Sequence, residues 1–338
     1  LKLTHCRLDD AILDFPESNC LTKISLKNVN KKDILFLSKC TQLKSLKLTQ
    51  CSLDDTTLDL SKSTNLKYLS LVNVIMKGKL LISKCTQLKY MKLVKCALGE
   101  ISPDLLKSSS DCSKIECPQL NLGDALLSLD NLEKLYNLTI DNVTLCKNGF
   151  AMLFSSMSPY TQLHELYLKN LDLGDALLRL NCIEELDHLT VNNVTMCKDG
   201  YRMLCNSMSM CRELTHLSLK NLDLGDALLS LNRIDELYDL TINNVTMCKE
   251  GYVMLCNSMS MCRELTHLSL KNLDLGDALL SLNRIEELYH LTINNVTLCK
   301  KGYVRLCNII SKGTELTHLS LKNLDLGDAL LSLNRIEE

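Results

Sequence analysis

A chain of 338 residues with a net charge of −2 and a pI near 6.4 has no whole-molecule field that would draw it to nucleic acid or to an anionic membrane. Aromatic residues make up only 4% and Trp is absent, so the core must be assembled from aliphatic layers. No run of about 18 apolar residues marks a membrane span, and no signal peptide is visible.

The chain opens in mid-motif at Leu1-Lys2-Leu3 without an initiator Met, and reads as a piece of something longer. From Leu21 it falls into one frame, clearest at 214–224, L-T-H-L-S-L-K-N-L-D-L, which fits L-x-x-L-x-L-x-x-x-x-L. Taking the first apolar residue as position one, units begin at Leu21, Leu43, Leu66, Leu88, Cys112, Leu135, Leu163, Leu186, Leu214, Leu237, Leu265, Leu288 and Leu316. With the partial repeat at the start they make fourteen. Residues 1–134 carry irregular repeats of 22 to 24 residues, and 135–338 alternate 28 and 23 in a 51-residue double repeat. Segment 213–249 differs from 264–300 only at Asp235/Glu286, Asp239/His290 and Met247/Leu298, so a feature found there several times over is first of all architecture.

The early units place lysines along their strands, at Lys23, Lys27, Lys44, Lys47, Lys67, Lys89, Lys92 and Lys95. Cys6, Cys51 and Cys96 fall at position nine, which points inward, where a thiol packs as a small hydrophobe. The Ser-rich 102–113 and Cys112-Ser113-Lys114-Ile115-Glu116-Cys117-Pro118 interrupt the pattern; Pro removes a ladder donor, and a disturbed strand is expected. That segment reads as an irregular repeat or as a hinge.

Beyond it, each L-x-x-L-x-L alternates with period two as a short strand, and stacked units form a parallel sheet. The long units add 248–259, where Val253, Leu255, Cys256 and Met259 suggest a buried helical stripe. The short units add only 225–231, enough for a helical turn or short helix. Wide outer elements beside narrow strands predict an α/β solenoid, a curved horseshoe with the parallel β-sheet on its concave face and helices and helical turns on its convex face. The crossovers are expected to be right-handed. Position nine holds Val, Leu or Cys, and Asn stands at position eight, either facing solvent or marking a shifted turn.

These residues resemble a leucine-rich repeat protein of the ribonuclease-inhibitor-like class. The resemblance rests on the alternation of 28 with shorter units, Cys at position nine and no disulfide caps, and it covers essentially the whole chain. The duplicated units are similar to the C-terminal sensor arrays of NACHT-type (NOD-like) immune receptors. The early Cys40-Thr41-Gln42-Leu43 and Cys85-Thr86-Gln87-Leu88 units resemble repeats of F-box substrate adaptors. The resemblance implies a protein-binding, ligand-sensing module, with an extracellular receptor ectodomain or a ubiquitin-ligase adaptor as alternatives.

The candidate partner surface is the concave face at positions two, three, five, seven and eight: Thr215, His216, Ser218, Lys220 and Asn221 with Lys169, Asn170, Asn244, His267, Lys271, Asn272, His318 and Lys322. The lysine column would favour an acidic protein segment, or simply keep an exposed sheet soluble. Nucleic acid is not expected, since few aromatics accompany the lysines. The histidines, with His188 and His290, recur one double repeat apart, roughly 10 Å on sheet spacing, too far to share a metal. They are a pH-sensitive face or repeated surface residues.

Asp9-Asp10, Asp54-Asp55 and the Gly-Asp pairs at 123–124, 174–175, 225–226, 276–277 and 327–328 follow the strand loops, and are expected to cap outer helices rather than perform acid catalysis. No phosphate loop, C-x-x-C or nucleophile elbow is present, so neither an enzyme nor a cofactor is expected. Eighteen cysteines without cap pairing point to a reduced, cytoplasmic setting. Asn-x-Thr at Asn137, Asn142, Asn193, Asn244 and Asn295 is the mark of the extracellular alternative. An uncapped last repeat would leave an apolar edge open to self-association.

Overall fold

In a computed structural model the described residues are 1–4, 21–29, 37–53, 57–76, 80–82, 84–98, 134–143, 162–174, 183, 185–229, 231, 234, 236–276, 278 and 287–325. The chain divides into two compact units, Leu1–Ala176 and Leu177–Glu338. The boundary falls later than the change of repeat rhythm.

The first unit is a parallel sheet of β1 (Lys2–Thr4), β2 (Lys23–Lys27), β3 (Ser45–Ser52), β5 (Tyr68–Met76), β7 (Tyr90–Val94), β9 (Asn137–Asp141) and β10 (Glu165–Asp172), in that order. Between them β4 (Leu58–Asp59) and β6 (Leu80–Leu81) pair with each other, and β8 (Ala97–Leu98) pairs with the end of β5. Strand β7 lies directly beside β9, with Tyr90 opposite Asn137. The frame beginning at Cys112, with its expected disturbed strand, lies outside the described residues.

The second unit repeats the scheme with β11 (His188–Thr195), β12 (His216–Gly225), β13 (Asp239–Met247), β14 (His267–Gly276), β15 (His290–Leu298) and β16 (His318–Lys322). After each long-unit strand comes one helix: α1 (Lys198–Met208), α2 (Lys249–Met259) and α3 (Lys300–Ile310). After β12 the short unit makes only a turn, in which the Ala227 amide donates to the Leu224 carbonyl.

Each layer is held the same way. Positions four, six, nine and eleven point inward, as at Leu217, Leu219, Leu222 and Leu224, all at most 3% exposed. A fully buried aliphatic side chain contributes about 1.5 to 3 kcal/mol, so four per layer outweigh every polar contact described below. The layers are then hooked by backbone. The amides of positions two and three both donate to the position-two carbonyl of the preceding unit, as Thr215 and His216 do to Asp187, and Lys67 and Tyr68 to Lys44.

The helix stripe differs from the expected one. In α2 the buried residues are Tyr252, Leu255, Cys256 and Met259, at i, i+3, i+4 and i+7, and Val253 is exposed. Tyr252 takes the inward place because its hydroxyl has a partner there, donating to the Val245 carbonyl at 2.8 Å. The helices also begin differently from the sequence expectation. Cys197 and Cys248 are the N-caps, their Sγ accepting from the amides of Gly200 and Gly251 at 3.3 Å. A Cβ on Gly251 would meet the Met247 side chain at 3.2 Å, which is why glycine stands in the first helical turn.

Candidate functional site

The open face of the sheet, away from the leucines, displays positions three, five and seven of every strand. Position eight turns the chain out of the strand. All twelve described residues there have φ between 50° and 56°: Asn28, Gln50, Asn73, Lys95, Asn142, Asn170, Asn193, Asn221, Asn244, Asn272, Asn295 and Asn323. That left-handed conformation costs an ordinary side chain about 1 kcal/mol or more, and Asn tolerates it best among non-glycine residues. The position-eight Asn is both exposed and a shifted turn. The amides also bond from layer to layer: Asn244 Nδ2 donates to Asn221 Oδ1 at 2.9 Å, Asn221 to Asn192 at 2.8 Å, Asn272 to Asn243 at 2.8 Å and Asn295 to Asn272 at 2.9 Å. A backbone requirement therefore accounts for Asn170, Asn221, Asn244 and Asn272 before any ligand is invoked.

Three parallel rows cover the open face of the second unit. Position seven reads Asn192, Lys220, Asn243, Lys271, Asn294 and Lys322, so lysine comes on every second strand. Position five is a hydroxyl row, Thr190, Ser218, Thr241, Ser269, Thr292 and Ser320. Ser218 Oγ and Asn294 Oδ1 are buried polar atoms without a protein partner, although the residues themselves stand on this face. Lys169 and Asn170 belong to the first unit, where Lys169 pairs across to Asp141, lies 5.8 Å over the Tyr167 ring, and Asn170 Nδ2 donates to Asp141 Oδ1.

The third row corrects the expectation that the histidines stand apart. His188 and His216, on consecutive strands, stack with centroids 4.0 Å apart and planes 10° from parallel. His267 stacks on His290 at 4.3 Å, and His290 on His318 at 4.2 Å. Asp239 holds position three between His216 and His267, and Tyr238 bridges them with its ring, 5.8 Å from one and 5.0 Å from the other. The result is a continuous six-ring ladder. The 51-residue period separates His216 from His267, but the register sets other aromatics between them.

Burial and the neighbouring His188 imidazole push His216 below the ordinary histidine range, with Asp239 and Asp187 pulling the other way. His290 is lowered as well, by desolvation first and then by His267 and His318.

The Gly-Asp pairs do not cap helices where they are described. Gly225 has φ +57°, closing a turn whose amide is held by Asp223 Oδ1 at 3.3 Å. Asp226 receives Lys198 at 2.8 Å and Arg202 at 2.7 Å from α1. The Lys198 hydrogen bond first, and then Arg202, holds its carboxyl below the usual range. Asp9, Asp10, Asp54, Asp55, Asp124, Asp175, Asp277 and Asp328 lie outside the described residues. Among the described residues no three His, Cys, Asp or Glu side chains are grouped to hold a metal.

The twelve described cysteines form no disulfide with one another. Burial pushes Cys85, Cys205 and Cys256 up to about 12. At position nine, Cys96 Sγ lies 3.4 Å from the Leu71 and Val94 carbonyls, serving the turn backbone.

No family model matches the chain. It is 29% identical over 231 residues to ribonuclease inhibitor of Sus scrofa, covering 61% of this chain and 51% of the relative. To NACHT, LRR and PYD domains-containing protein 5 of Mus musculus it is 28% identical over 250 residues, covering 64% of this chain and 21% of the relative. The chain thus spans about half the length of the one and a fifth of the other. Among solved structures, a leucine-rich repeat protein of Leptospira interrogans superposes with a TM-score of 0.52 at 16% identity, over 94% of this chain and 83% of that one.

Proposed function

We propose, on the premise that this is a leucine-rich repeat protein of the ribonuclease-inhibitor-like class, that it is the ligand-sensing array of a cytoplasmic innate immune receptor. Its partner is an acidic protein segment held on the open sheet face of the second unit. One observation carries the reading. Rows of Lys/Asn, Ser/Thr and His/Tyr run side by side across β11–β16; among the described residues the one carboxylate within the rows is Asp239, with Asp187 beside His188 and Asp223 and Asp274 further along β12 and β14. Repeated donors on one face support a polar, negatively charged ligand. The immune assignment draws support from the likeness to the NACHT, LRR and PYD protein, and the reduced setting from buried thiols.

The test is binding of a labelled acidic peptide to the wild type and to a K220E/K271E variant. Affinity should fall by more than about tenfold while the melting temperature is unchanged, since both lysines lie on the surface. Unaltered affinity removes the docking face.

A second reading, an extracellular ectodomain, is favoured by one fact: Asn142, Asn193, Asn244 and Asn295 of the Asn-Val-Thr sequences are exposed. Intact mass from the native host, with thiols counted under denaturing, non-reducing conditions, separates the two. Added hexose with lost thiols would place the chain outside the cytoplasm.

A further inference from the structure

Hydrogen bonds hold one nitrogen of four rings in the ladder. The Thr215 hydroxyl lies 3.1 Å from the Asp187 carbonyl and 2.8 Å from His216 Nδ1, so that nitrogen is engaged within the protein. The arrangement recurs where Thr266 donates to the Tyr238 carbonyl (3.4 Å) beside His267 Nδ1 (2.8 Å). It recurs again where Thr317 donates to the Tyr289 carbonyl (3.2 Å) beside His318 Nδ1 (3.0 Å). At His188 the partner of Nδ1 is the Asp187 carboxylate at 2.6 Å, which only accepts. In four imidazoles Nδ1 is thus engaged by a neighbouring side chain in the same way. One orientation repeated four times is a built property of the face.

We infer that the ladder from His188 to His318 is a proton-gated contact: the open face binds an extended acidic segment, and the imidazoles take up protons as its carboxylates arrive. The inference rests on the docking reading above and names the partner's form and its regulation.

Rings 4.0 to 4.3 Å apart stack comfortably when neutral. Two unit charges at about 4 Å repel by roughly 1 kcal/mol in water and about 4 at the effective dielectric of a protein surface. Charged neighbours in the ladder therefore repel unless counter-charge is supplied. The groups facing it, strand by strand, are Asp187 beside His188 on β11, Lys220 on β12, Asp239 and Tyr238 at β13, Lys271 on β14, Tyr289 beside His290 on β15, and Lys322 on β16. Two carboxylates against three lysines cannot neutralise five imidazolium ions, so the counter-charge has to come from the ligand. The lowered affinity of His216 and His290 for protons agrees with this.

Geometry sets the ligand's shape. The hydroxyl row lies between the histidine and lysine rows, two residues or about 6.6 Å from each along the strand. Lysines on every second strand recur at about 9.6 Å. A polyproline-type chain advances about 9.3 Å in three residues. A segment lying across the strands on the hydroxyl row, with adjacent acidic residues in a three-residue period, meets lysines on one side and histidines on the other.

The probe is a fluorescein-labelled (Glu-Glu-Pro)4 peptide, with (Gln-Gln-Pro)4 as the uncharged control, followed by anisotropy from about pH 7.5 to about pH 5.5, a range in which glutamate stays largely ionised and histidine titrates. Wild type should tighten by about tenfold or more, since each proton taken up contributes up to a factor of ten per pH unit. In H188Q/H216Q/H267Q the pH ratio should fall below about twofold, whereas K220Q/K271Q should weaken binding at both ends and keep the ratio. Calorimetry of the wild type in two buffers of different ionisation enthalpy should show uptake of about one proton or more near pH 6.5. That measurement stands even if the triple variant fails to fold. Binding with no pH dependence and no proton uptake, or tightening that survives loss of the histidines, overturns the gate and leaves the docking face standing. Absence of binding at every pH removes both.

Discussion

The two units share one frame and fill its third position differently. In the first, Tyr68 and Tyr90 stack with centroids 4.6 Å apart and planes 2° from parallel; in the second, imidazoles occupy the row. In-register parallel strands place like positions about 4.8 Å apart, so any ring in this row stacks on its neighbour without further design. Stacking is therefore a property of the frame. What distinguishes the units is composition: the first mixes Lys23, Ser45, Tyr68, Tyr90, Asn137 and Glu165 at this position, and the second repeats imidazole on five of its six strands. Position eight shows the same contrast. The second unit keeps Asn in every layer, and the first admits Gln50 and Lys95 at φ 54° and 50°.

The largest expected effect tests what the units have in common. Thiols raised to about 12 carry roughly a thousandfold less thiolate than ordinary cysteine. Cys85 in one unit and Cys205 and Cys256 in the other should alkylate with iodoacetamide at similarly suppressed rates in the native protein, read by mass spectrometry of peptides. Fast native labelling at Cys85 alone would show that the older-looking layers open more readily. Next comes Leu255, fully buried in α2. Leu255→Ala should cost about 3 kcal/mol, a hundredfold or more in the folding equilibrium, read as a lower urea midpoint.

Position eight then sharpens the difference. Asn244→Val puts a β-branched residue at φ 52° and removes the 2.9 Å bond to Asn221. A loss of about 2 kcal/mol is expected. The reverse change in the first unit, Lys95→Asn, should stabilise by roughly 0.5 kcal/mol, because Asn accepts the left-handed conformation better. Urea titrations of both variants check it, and equal effects of the same sign would break the argument.

The period-two leucines carried the sheet, and the 28/23 alternation marked where helices belong, because both depend only on spacing along the chain. The position-eight conformation was not legible: Asn there is compatible with an exposed residue or a turn, and only backbone angles decide. The stripe of α2 was misplaced by one residue, since Tyr252 looks like a surface residue until its hydroxyl is seen to reach Val245. The ladder escaped for a similar reason. Tyr238 stands at position two and His216 at position three, so column counting separates rings that the sheet brings together. The Thr-His pairs that hold the rings were adjacent in sequence all along, but their geometry needs the carbonyl of the preceding layer.

The smallest effect separates the two rows most directly. The folded-state affinities of His216 and His290 for protons are lowered, so on acidification the unfolded chain binds protons first. Their contribution to stability is complete above the ordinary histidine pKa of about 6.5 and is lost as pH falls below it toward the folded values. The melting temperature should therefore drop modestly between about pH 7.5 and about pH 5.5, and H216Q/H290Q should flatten that slope. Asp59 and Asp226, both lowered, act in the same direction only at lower pH, below the ordinary carboxylate range, so they do not confuse the window. If the histidine variant keeps the full slope, the acid sensitivity belongs to some other part of the chain, and the imidazole row is no more than a stack the frame allows.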